Sequence, residues 1–502
     1  MRSWIKHNKT EFIILAIILV IGAFLRLYHV GGWMHFGSDE ARTAAAVQEM
    51  AKGEKFYLLG PAAQNNRPDF SLGPFFYYLL VPGQLLFGSS PASGAWTVAI
   101  FSVISIFLVY FLARQFFGRA AGLMAAGLYA TSFVMVYYGR WVWNPNVVPF
   151  FILLIFISLY KLTQLADSRK NEKYLHILAI CFGIIIQLHG TALFILPITL
   201  ILYFLIFRPK ISWKKYLLAL LIVAILNLPV IINELGSNFS NTRGLIRVLT
   251  QADSGASPGL ASQIEQTART WKNFWYESLL HEKLKLLFYG LLLLSLGYLA
   301  VKLLIDVRKR VKNPASILLA LWLIPTFLVF IIYKEATPTH YFSLVFPLPF
   351  ILLAGALNIF WKKRFLRVIP VVIALGLFGL QLYYSGFLLY DLRPNGSRAS
   401  SYPVTLTDME QAVDFIKNDV KGQNFNFQEQ VTTGYDNSYR YLFSLQSIAP
   451  SQSLQPIEYD IFIGKVIVIA NELPGQPVTE VKNFGNVTVV KISRQPLDKP
   501  VQ

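Results

Sequence analysis

Three charged residues, Asp39, Glu40 and Arg42, stand together in the stretch "SDEAR", directly after the first long apolar run. A carboxylate at the boundary of an apolar environment can act as a general base, which makes Asp39 and Glu40 the candidate catalytic pair. Arg42 follows Asp39 by three residues, so on a helix the two side chains share a face. The guanidinium can then pair with Asp39 or bind a phosphate through a forked geometry. The alternative is that the acidic pair is solvated or caps the helix that follows.

Further candidate residues lie in other polar segments between apolar runs. They are Arg67, Asp69, Arg140, Trp143, Asn144, His189, His340 and Tyr341. Arg67 is a candidate phosphate contact, and the segment from Arg140 to Asn144 predicts a polar pocket in which an asparagine amide can bond sugar hydroxyls. Asp69 and His189 are grouped with this pocket as acceptor or sugar contacts. The aromatic side chains are equally explained by an ordinary aromatic belt at a membrane interface.

The elements that must position these residues are apolar runs of about 20 residues, the length of a transmembrane helix. The chain has 502 residues, of which 55% are hydrophobic and only 14% are charged. Soluble proteins are nearer a quarter charged. We predict about eleven spans and place the shorter segment 72–88 along the membrane interface. The expected fold class is therefore an all-α polytopic membrane bundle.

The net charge of +18 comes from short basic clusters that separate the apolar runs. Such clusters mark cytoplasmic loops, so they do not indicate nucleic-acid binding. If 72–88 does not span, this rule places the N-terminus in the cytoplasm and the loop 31–92, with Asp39, on the outer face of the cell membrane. Arg26, near the outer end of the first run, is predicted to extend its charged end to the interface.

The composition becomes polar from about residue 391 onward. Thr407 and Glu410 have the spacing of a capping box ahead of the amphipathic stretch "MEQAVDFIKNDV". The stretches "YDIFIGKVIVIA" and "NVTVVKIS" predict strands. We therefore predict a membrane domain over residues 1–395, with the loop 31–92 as its catalytic part. An extracytoplasmic α/β domain is predicted over residues 396–502.

Several motif classes are absent from the sequence. It contains no Walker loop and no GxGxxG after a strand, which disfavours a nucleotide-driven pump. It has no HExxH or CxxC spacing either, so the metal ligands are unknown and a divalent metal stays an open requirement. Polar groups crowd the outer boundary instead of the midplane, which favours a reaction there. A transporter or flippase for a lipid-linked sugar is the alternative, and a scaffold protein is a second one.

Several segments in chain order carry a family resemblance. They are "SDEAR" after the first span, "GPFFYYLL", "FFGRAAGLMAAGLYATS", "RWVWNPNVVPFF", "QLHGTALFILP" and "THYFSLVFPLPFILLAGAL". This order resembles the bacterial C-type (GT-C) integral-membrane glycosyltransferases, in particular the relatives of protein O-mannosyltransferase and of the lipid A aminoarabinose transferase. The resemblance covers nearly all of residues 1–390.

The resemblance implies a sugar donor on a polyprenyl phosphate and transfer, with inversion, to a protein, lipid or glycan acceptor on the outer face. Asp39 matches the family's catalytic carboxylate and Arg42 its phosphate-contacting arginine. Arg67 and Tyr341 are weaker matches to other phosphate contacts, and His340 is grouped with them. Many members carry an aspartate in the second outer loop where this chain has Asn144 and Asn146. That difference leaves the acceptor and any metal requirement open.

Overall fold

The computed structural model describes residues 9–64, 67–88, 90–165, 169–250, 259–280, 284–332, 338–361, 363–399, 401–430, 434–463 and 478–493. Most of these residues are helical. The α-helices are α1 (Lys9–Leu27), α2 (Ser38–Ala51), α3 (Phe75–Phe87), α4 (Ala92–Phe117), α5 (Arg119–Thr131), α6 (Phe133–Tyr138), α7 (Val148–Leu162), α8 (Lys173–Leu188), α9 (Ala192–Phe207), α10 (Trp213–Leu226), α11 (Leu228–Gly236), α12 (Ser240–Thr250), α13 (Leu260–Leu280), α14 (Lys285–Arg308), α15 (Pro314–Ile332), α16 (Leu348–Trp361), α17 (Val368–Leu392), α18 (Leu406–Val420) and α19 (Asp436–Leu445). Short 3-10 helices cover Asn144–Val147, Arg169–Glu172, Thr339–Val345 and Arg364–Leu366.

Seven helical segments within the described residues are long and apolar enough to cross a membrane, or nine if each of two bent helix pairs counts as one span. They are Lys9–Leu27, Ala92–Phe117, Asn144–Leu162, Lys170–Leu188, Lys285–Arg308, Pro314–Ile332 and Arg364–Leu392, with the bent pairs Trp213–Leu226 plus Leu228–Gly236 and Thr339–Val345 plus Leu348–Trp361. The predicted all-α polytopic bundle is therefore confirmed, while the count of about eleven spans stays a prediction.

Helix α3 occupies the segment that we place along the interface. It has 13 residues and carries Pro82 inside it. At 1.5 Å per residue it is about 20 Å long, which is shorter than the roughly 30 Å hydrocarbon core of a bilayer. This length is compatible with a helix that does not span, and the interfacial orientation stays a prediction.

The described residues group into two compact units. The first draws on Met1–Tyr28, Lys55–Leu80 and Thr97–Ser385, and the second on His29–Glu54, Val81–Trp96 and Gly386–Gln502. The stretch that carries Asp39 thus groups with the C-terminal region. The domain boundary between residues 395 and 396 stays a prediction.

The buried Arg26 of α1 forms hydrogen bonds to two further helices of the first unit, α4 and α5. Arg26 has no exposed surface. Its Nε donates to the Ser102 hydroxyl at 2.8 Å, and its Nη1 donates to the Ala130 carbonyl at 2.7 Å. The expectation that Arg26 extends to the interface is wrong, because the carbonyl and hydroxyl groups of α4 and α5 satisfy the guanidinium inside the bundle, where an unpaired charge would be very costly.

The second unit contains a four-stranded sheet with the strand order β3-β4-β6-β5. Its strands are β3 (Asn426–Glu429), β4 (Ile457–Ile463), β5 (Val478–Phe484) and β6 (Val487–Ser493), and a separate antiparallel pair, β1 (Ala62–Gln64) and β2 (Arg67–Ser71), lies in the first unit. Strands β3 and β4 are parallel, and the other neighbours are antiparallel. The predicted C-terminal α/β region is confirmed, although residues 464–470 of the first predicted strand lie outside the described residues.

The helix α18 is capped two residues earlier than the sequence spacing predicts. The hydroxyl of Thr405 accepts the Asp408 N–H at 3.4 Å, and the Asp408 carboxylate accepts the Thr405 N–H at 3.1 Å. The predicted Thr407–Glu410 box is therefore wrong. Asp408 is favoured because its carboxylate also pairs with the buried Arg398 at 2.9 Å, an interaction that Glu410 does not share.

Candidate functional site

The helix α2 begins at a capping interaction made by one of the two candidate acids. Gly37 precedes the helix in an extended conformation, and the Ala41 N–H donates to its carbonyl at 3.0 Å. The Glu40 carboxylate reaches back and accepts the Gly37 N–H at 2.8 Å. A negative charge in the first turn of a helix is favourable, because the unpaired N–H groups there carry partial positive charge. Glu40 thus fixes the start of the helix that carries Asp39.

Glu40 is also part of a buried polar chain. Its side chain is 3% exposed, and its Oε2 lies 3.1 Å from Nδ1 of His35. The other ring nitrogen of His35, Nε2, lies 3.1 Å from the Tyr435 hydroxyl. Glu40, His35 and Tyr435 therefore form one connected series of polar contacts, which we call the Glu40 chain. The sequence gives no local signal for the Glu40 chain, because Tyr435 lies 400 residues from His35.

Asp39 and Arg42 are arranged differently from Glu40. Arg42 Nη2 donates to Asp39 Oδ1 at 2.7 Å. The two side chains are 32% and 47% exposed, respectively, so both can be reached by a ligand. The structure therefore pairs the two residues whose helical spacing predicts a shared face, and it gives the two neighbouring acids distinct surroundings.

Residues of the C-terminal region hold the acid-bearing helix in place. The Ser38 N–H donates to the Gly434 carbonyl at 3.2 Å, and the Ser38 hydroxyl donates to the same oxygen. Towards the other end of α2, the Tyr441 hydroxyl donates to Gln48 Oε1 at 3.0 Å. These contacts fix both ends of α2 within the second unit.

A second group of predicted site residues converges in the first unit. The ring centroids of Trp143 and His340 are 4.2 Å apart, those of His340 and Tyr341 are 4.8 Å apart, and those of His189 and Tyr341 are 5.4 Å apart. The Asn144 side chain donates to the Leu188 carbonyl, next to His189. We call these five residues, Trp143, Asn144, His189, His340 and Tyr341, the aromatic–histidine cluster.

His189 is held as a neutral imidazole. It is 5% exposed, and its Nδ1 lies 2.8 Å from the Thr191 hydroxyl. Burial lowers the pKa of His189 to about 3, with a smaller contribution from the neighbouring His340. A neutral ring can exchange hydrogen bonds with a hydroxyl group, but it supplies no positive charge to a phosphate.

The sequence comparisons match two kinds of glycosyltransferase. A family model described as dolichyl-phosphate-mannose-protein mannosyltransferase matches residues 67–232. The undecaprenyl phosphate-alpha-4-amino-4-deoxy-L-arabinose arabinosyl transferase 2 of Pseudomonas fluorescens (strain Pf0-1) is 26% identical over 226 residues, which span 43% of this chain and 39% of that protein. The predicted resemblance to the GT-C glycosyltransferases is confirmed.

Solved structures share the fold over nearly all of the chain. ArnT from Cupriavidus metallidurans bound to undecaprenyl phosphate has a TM-score of 0.60 at 13% identity, and the match covers 98% of this chain and 100% of that one. The oligosaccharyltransferase of Archaeoglobus fulgidus in complex with Zn and sulfate has a TM-score of 0.51 at 16% identity, over 86% of this chain and 57% of that one. The GT-C-like fold predicted from the sequence is thus confirmed.

The family model covers some of the candidate residues and not others. The matched range 67–232 includes Trp143, Asn144 and His189 of the aromatic–histidine cluster. It does not include Asp39 or Arg42. The roles of these two residues therefore rest on the local geometry of α2 and on the resemblance in the first loop.

Three predicted site residues lie neither on α2 nor in the aromatic–histidine cluster. Arg140 is buried, and its Nη1 donates to the carbonyls of Leu25 and Arg26 at 3.0 and 3.1 Å. It thereby caps the C-terminal end of α1, where carbonyl groups lack helical partners. Its predicted part in a sugar pocket stays a prediction. For Arg67 and Asp69 the structure describes only the backbone, which lies in β2.

No cluster of three or more His, Cys, Asp or Glu residues with metal-binding geometry occurs in the described ranges. The divalent metal considered from the sequence stays an open requirement.

Proposed function

We propose that this chain transfers a sugar from a polyprenyl-phosphate donor to a hydroxyl acceptor, with inversion at the anomeric carbon and with Asp39 as the general base. The observation that carries the proposal is the accessible Asp39–Arg42 pair, 2.7 Å apart at the start of a helix that Glu40 holds in place. The similar proteins, a dolichyl-phosphate-mannose-protein mannosyltransferase family and an undecaprenyl phosphate-alpha-4-amino-4-deoxy-L-arabinose arabinosyl transferase, support this donor class.

In the proposed reaction the acceptor hydroxyl oxygen attacks the anomeric carbon of the donor. Asp39 takes the hydroxyl proton as the new glycosidic bond forms. The bond between the anomeric carbon and the phosphate oxygen breaks, and the polyprenyl phosphate leaves with that electron pair. The leaving group is a stable anion, so the site must supply hydrogen-bond donors and positive charge more than a strong acid.

Arg42 supplies that charge in the proposal. A guanidinium has five N–H donors, and the bond to Asp39 uses one of them. The others can bind a phosphate oxygen in the forked geometry that arginine favours. Arg67, His340 and Tyr341 remain further candidate donor contacts from the resemblance, and Asp69, Arg140, Trp143, Asn144 and His189 remain candidate acceptor or sugar contacts.

The surroundings of the two acids support separate roles for them. Glu40 is buried and engaged with Gly37 and His35, so it has little access to an acceptor. Asp39 is one-third exposed and pairs with a cation that can also hold the leaving phosphate. We infer that Glu40 is a positioning residue and that only Asp39 transfers the proton.

The proposed site lies on the outer face of the cell membrane, in a multi-pass protein whose N-terminus is cytoplasmic. A polyprenyl chain stays in the bilayer because each buried methylene contributes about 0.8 kcal/mol. An enzyme that uses such a donor must therefore hold its base at the membrane boundary. The start of α2, close after the candidate span Lys9–Leu27, meets that requirement in the sequence.

The proposal is tested by comparing lipid-linked sugars and surface glycans, by mass spectrometry, in cells with and without the gene. A transferase predicts that one polyprenyl-phosphate sugar accumulates and one surface decoration disappears. The purified protein in liposomes must then release polyprenyl phosphate from that donor when the acceptor is present. Movement of intact donor across the liposome bilayer without release of polyprenyl phosphate would instead establish the flippase alternative.

A further inference from the structure

A groove lies within the first unit, at the ends of α14, α15 and α16 and beside the last turn of α4. Its volume is about 720 Å³, and the residues that shape it include Phe117, Gly297, Val301, Lys302, Ser316 and Asn358. The groove lies at one end of α15 and α16, near Ser316 and Asn358, whereas the segment Thr339–Val345, with His340, adjoins their opposite ends. Since α16 alone has 14 residues, about 20 Å of helix separates the groove from the aromatic–histidine cluster.

The walls of the groove are apolar and exposed. The side chains of Leu293, Val301 and Ile359 are 74%, 56% and 49% exposed. A methyl group added at Gly297 would meet no atom within 4 Å, so the space along this part of α14 is open. Because α14 and α15 are candidate membrane spans, the open side of the groove adjoins hydrocarbon chains in a bilayer.

The end of the groove is polar. Lys302 Nζ lies 2.9 Å from Asp306 Oδ1, and the Ser316 hydroxyl donates to Asp306 Oδ2 at 2.9 Å. The Lys302 side chain is 35% exposed, and its ammonium group has two further N–H donors.

The last two turns of α14 and the connection to α15 add positive charge at this end. Residues 302–312 contain five basic residues and one acid, Asp306. Arg308, Lys309 and Arg310 are exposed, and the same connection leads to Asn313, which lines the groove. An apolar groove that ends in excess positive charge is complementary to an amphiphile with a long chain and an anionic head.

We propose that this groove binds one anionic phospholipid, such as phosphatidylglycerol. One acyl chain lies along α14 at Gly297, and the phosphate lies at Lys302 and the basic connection 308–310. In the topology proposed above, this end of the bundle faces the cytoplasmic leaflet. The lipid is therefore a resident ligand of the opposite leaflet, separate from the sugar donor, and its binding does not depend on the proposed reaction.

The test uses the full chain, extracted in mild detergent and reconstituted in nanodiscs that contain equal amounts of phosphatidylglycerol and phosphatidylcholine. After the protein is released from the nanodiscs, native mass spectrometry measures the phospholipid that each protein retains. Gly297→Leu fills the groove. Gly290→Leu is its matched control, because Gly290 lies seven residues earlier on α14, also has empty space at its Cβ position and does not line the groove.

We expect Gly297→Leu to retain at least fivefold less phosphatidylglycerol than the unmodified protein, and Gly290→Leu to retain the same amount. The double variant R308Q/K309Q should lose the preference for phosphatidylglycerol over phosphatidylcholine. The control K170Q/K173Q should keep it, because it removes two exposed positive charges from residues that do not line the groove and do not belong to the helices around it. Equal retention by the two leucine variants would overturn the proposal and leave only unspecific surrounding lipid. Retention of a polyprenyl phosphate in place of a phospholipid would also overturn it.

Discussion

The separate roles proposed for Asp39 and Glu40 give the sharpest structural prediction. In Glu40→Ala, the Gly37 N–H loses its carboxylate acceptor at 2.8 Å and His35 loses its partner at 3.1 Å. A hydrogen bond to a charged group contributes about 1.5–3 kcal/mol. We therefore expect the free energy of local unfolding of α2 to fall by about 2 kcal/mol. This corresponds to a factor of about 30 in the equilibrium constant for local unfolding.

The assay is amide hydrogen exchange by mass spectrometry on the reconstituted protein, followed on peptides from α2 (Ser38–Ala51). Glu40→Gln keeps an oxygen that can accept the Gly37 N–H but loses the charge, so we expect an intermediate effect of about 1 kcal/mol, or about fivefold. Asp39→Asn is the control, because an exposed pair such as Asp39–Arg42 contributes only about 0.5 kcal/mol.

Two results would refute this reasoning. The first is an Asp39→Asn variant whose α2 exchanges as fast as that of Glu40→Ala, since the exposed acid would then hold the helix as firmly as the buried one. The second is a Glu40→Gln variant with unchanged exchange and no glycosyl transfer, since Glu40 would then take part in the chemistry itself.

Three further predictions concern Arg42, Thr405 and Glu54. Arg42→Gln should lower kcat/KM for the lipid-linked donor by about 10–100-fold, and Arg42→Lys should recover part of it, because a lysine keeps the charge and loses the fork; equal rates in all three proteins would remove Arg42 from the site. Thr405→Ala should destabilise α18 by about 1 kcal/mol in thermal unfolding, with a smaller effect for Thr407→Ala, and the reverse order would restore the capping box predicted from sequence. Glu54→Cys should react with a membrane-impermeant maleimide on intact cells, against a low background because Cys181 is buried; labelling only after permeabilisation would place the first loop inside.

The membrane fold could be predicted from the sequence because its signal is local. Runs of about 20 apolar residues indicate spans wherever they occur. The pairing of Asp39 with Arg42 is also local, since a spacing of three residues on a helix brings the two side chains together. Both features depend only on neighbouring residues and helical geometry.

The remaining features depend on partners that are distant in the chain. Arg26 is buried because carbonyl and hydroxyl groups of α4 and α5, more than 70 residues away, accept its N–H groups. The Glu40 chain includes Tyr435, which lies 400 residues from His35. Asp408 caps α18 because its carboxylate also pairs with Arg398. No periodicity or spacing in the sequence carries this information, so the sequence could not separate the role of Glu40 from that of Asp39.

The central claim is that Asp39 removes the acceptor proton, and one single-turnover measurement tests it most directly. Purified Asp39→Asn protein is loaded with radiolabelled polyprenyl-phosphate sugar, acceptor is added, and the polyprenyl phosphate released is measured beside the bound donor. Because the substituted asparagine keeps the size of the side chain but cannot take a proton, we predict donor binding within about twofold of the unmodified protein and release slowed by about 10²–10⁴-fold. Release at the unmodified rate would contradict the claim.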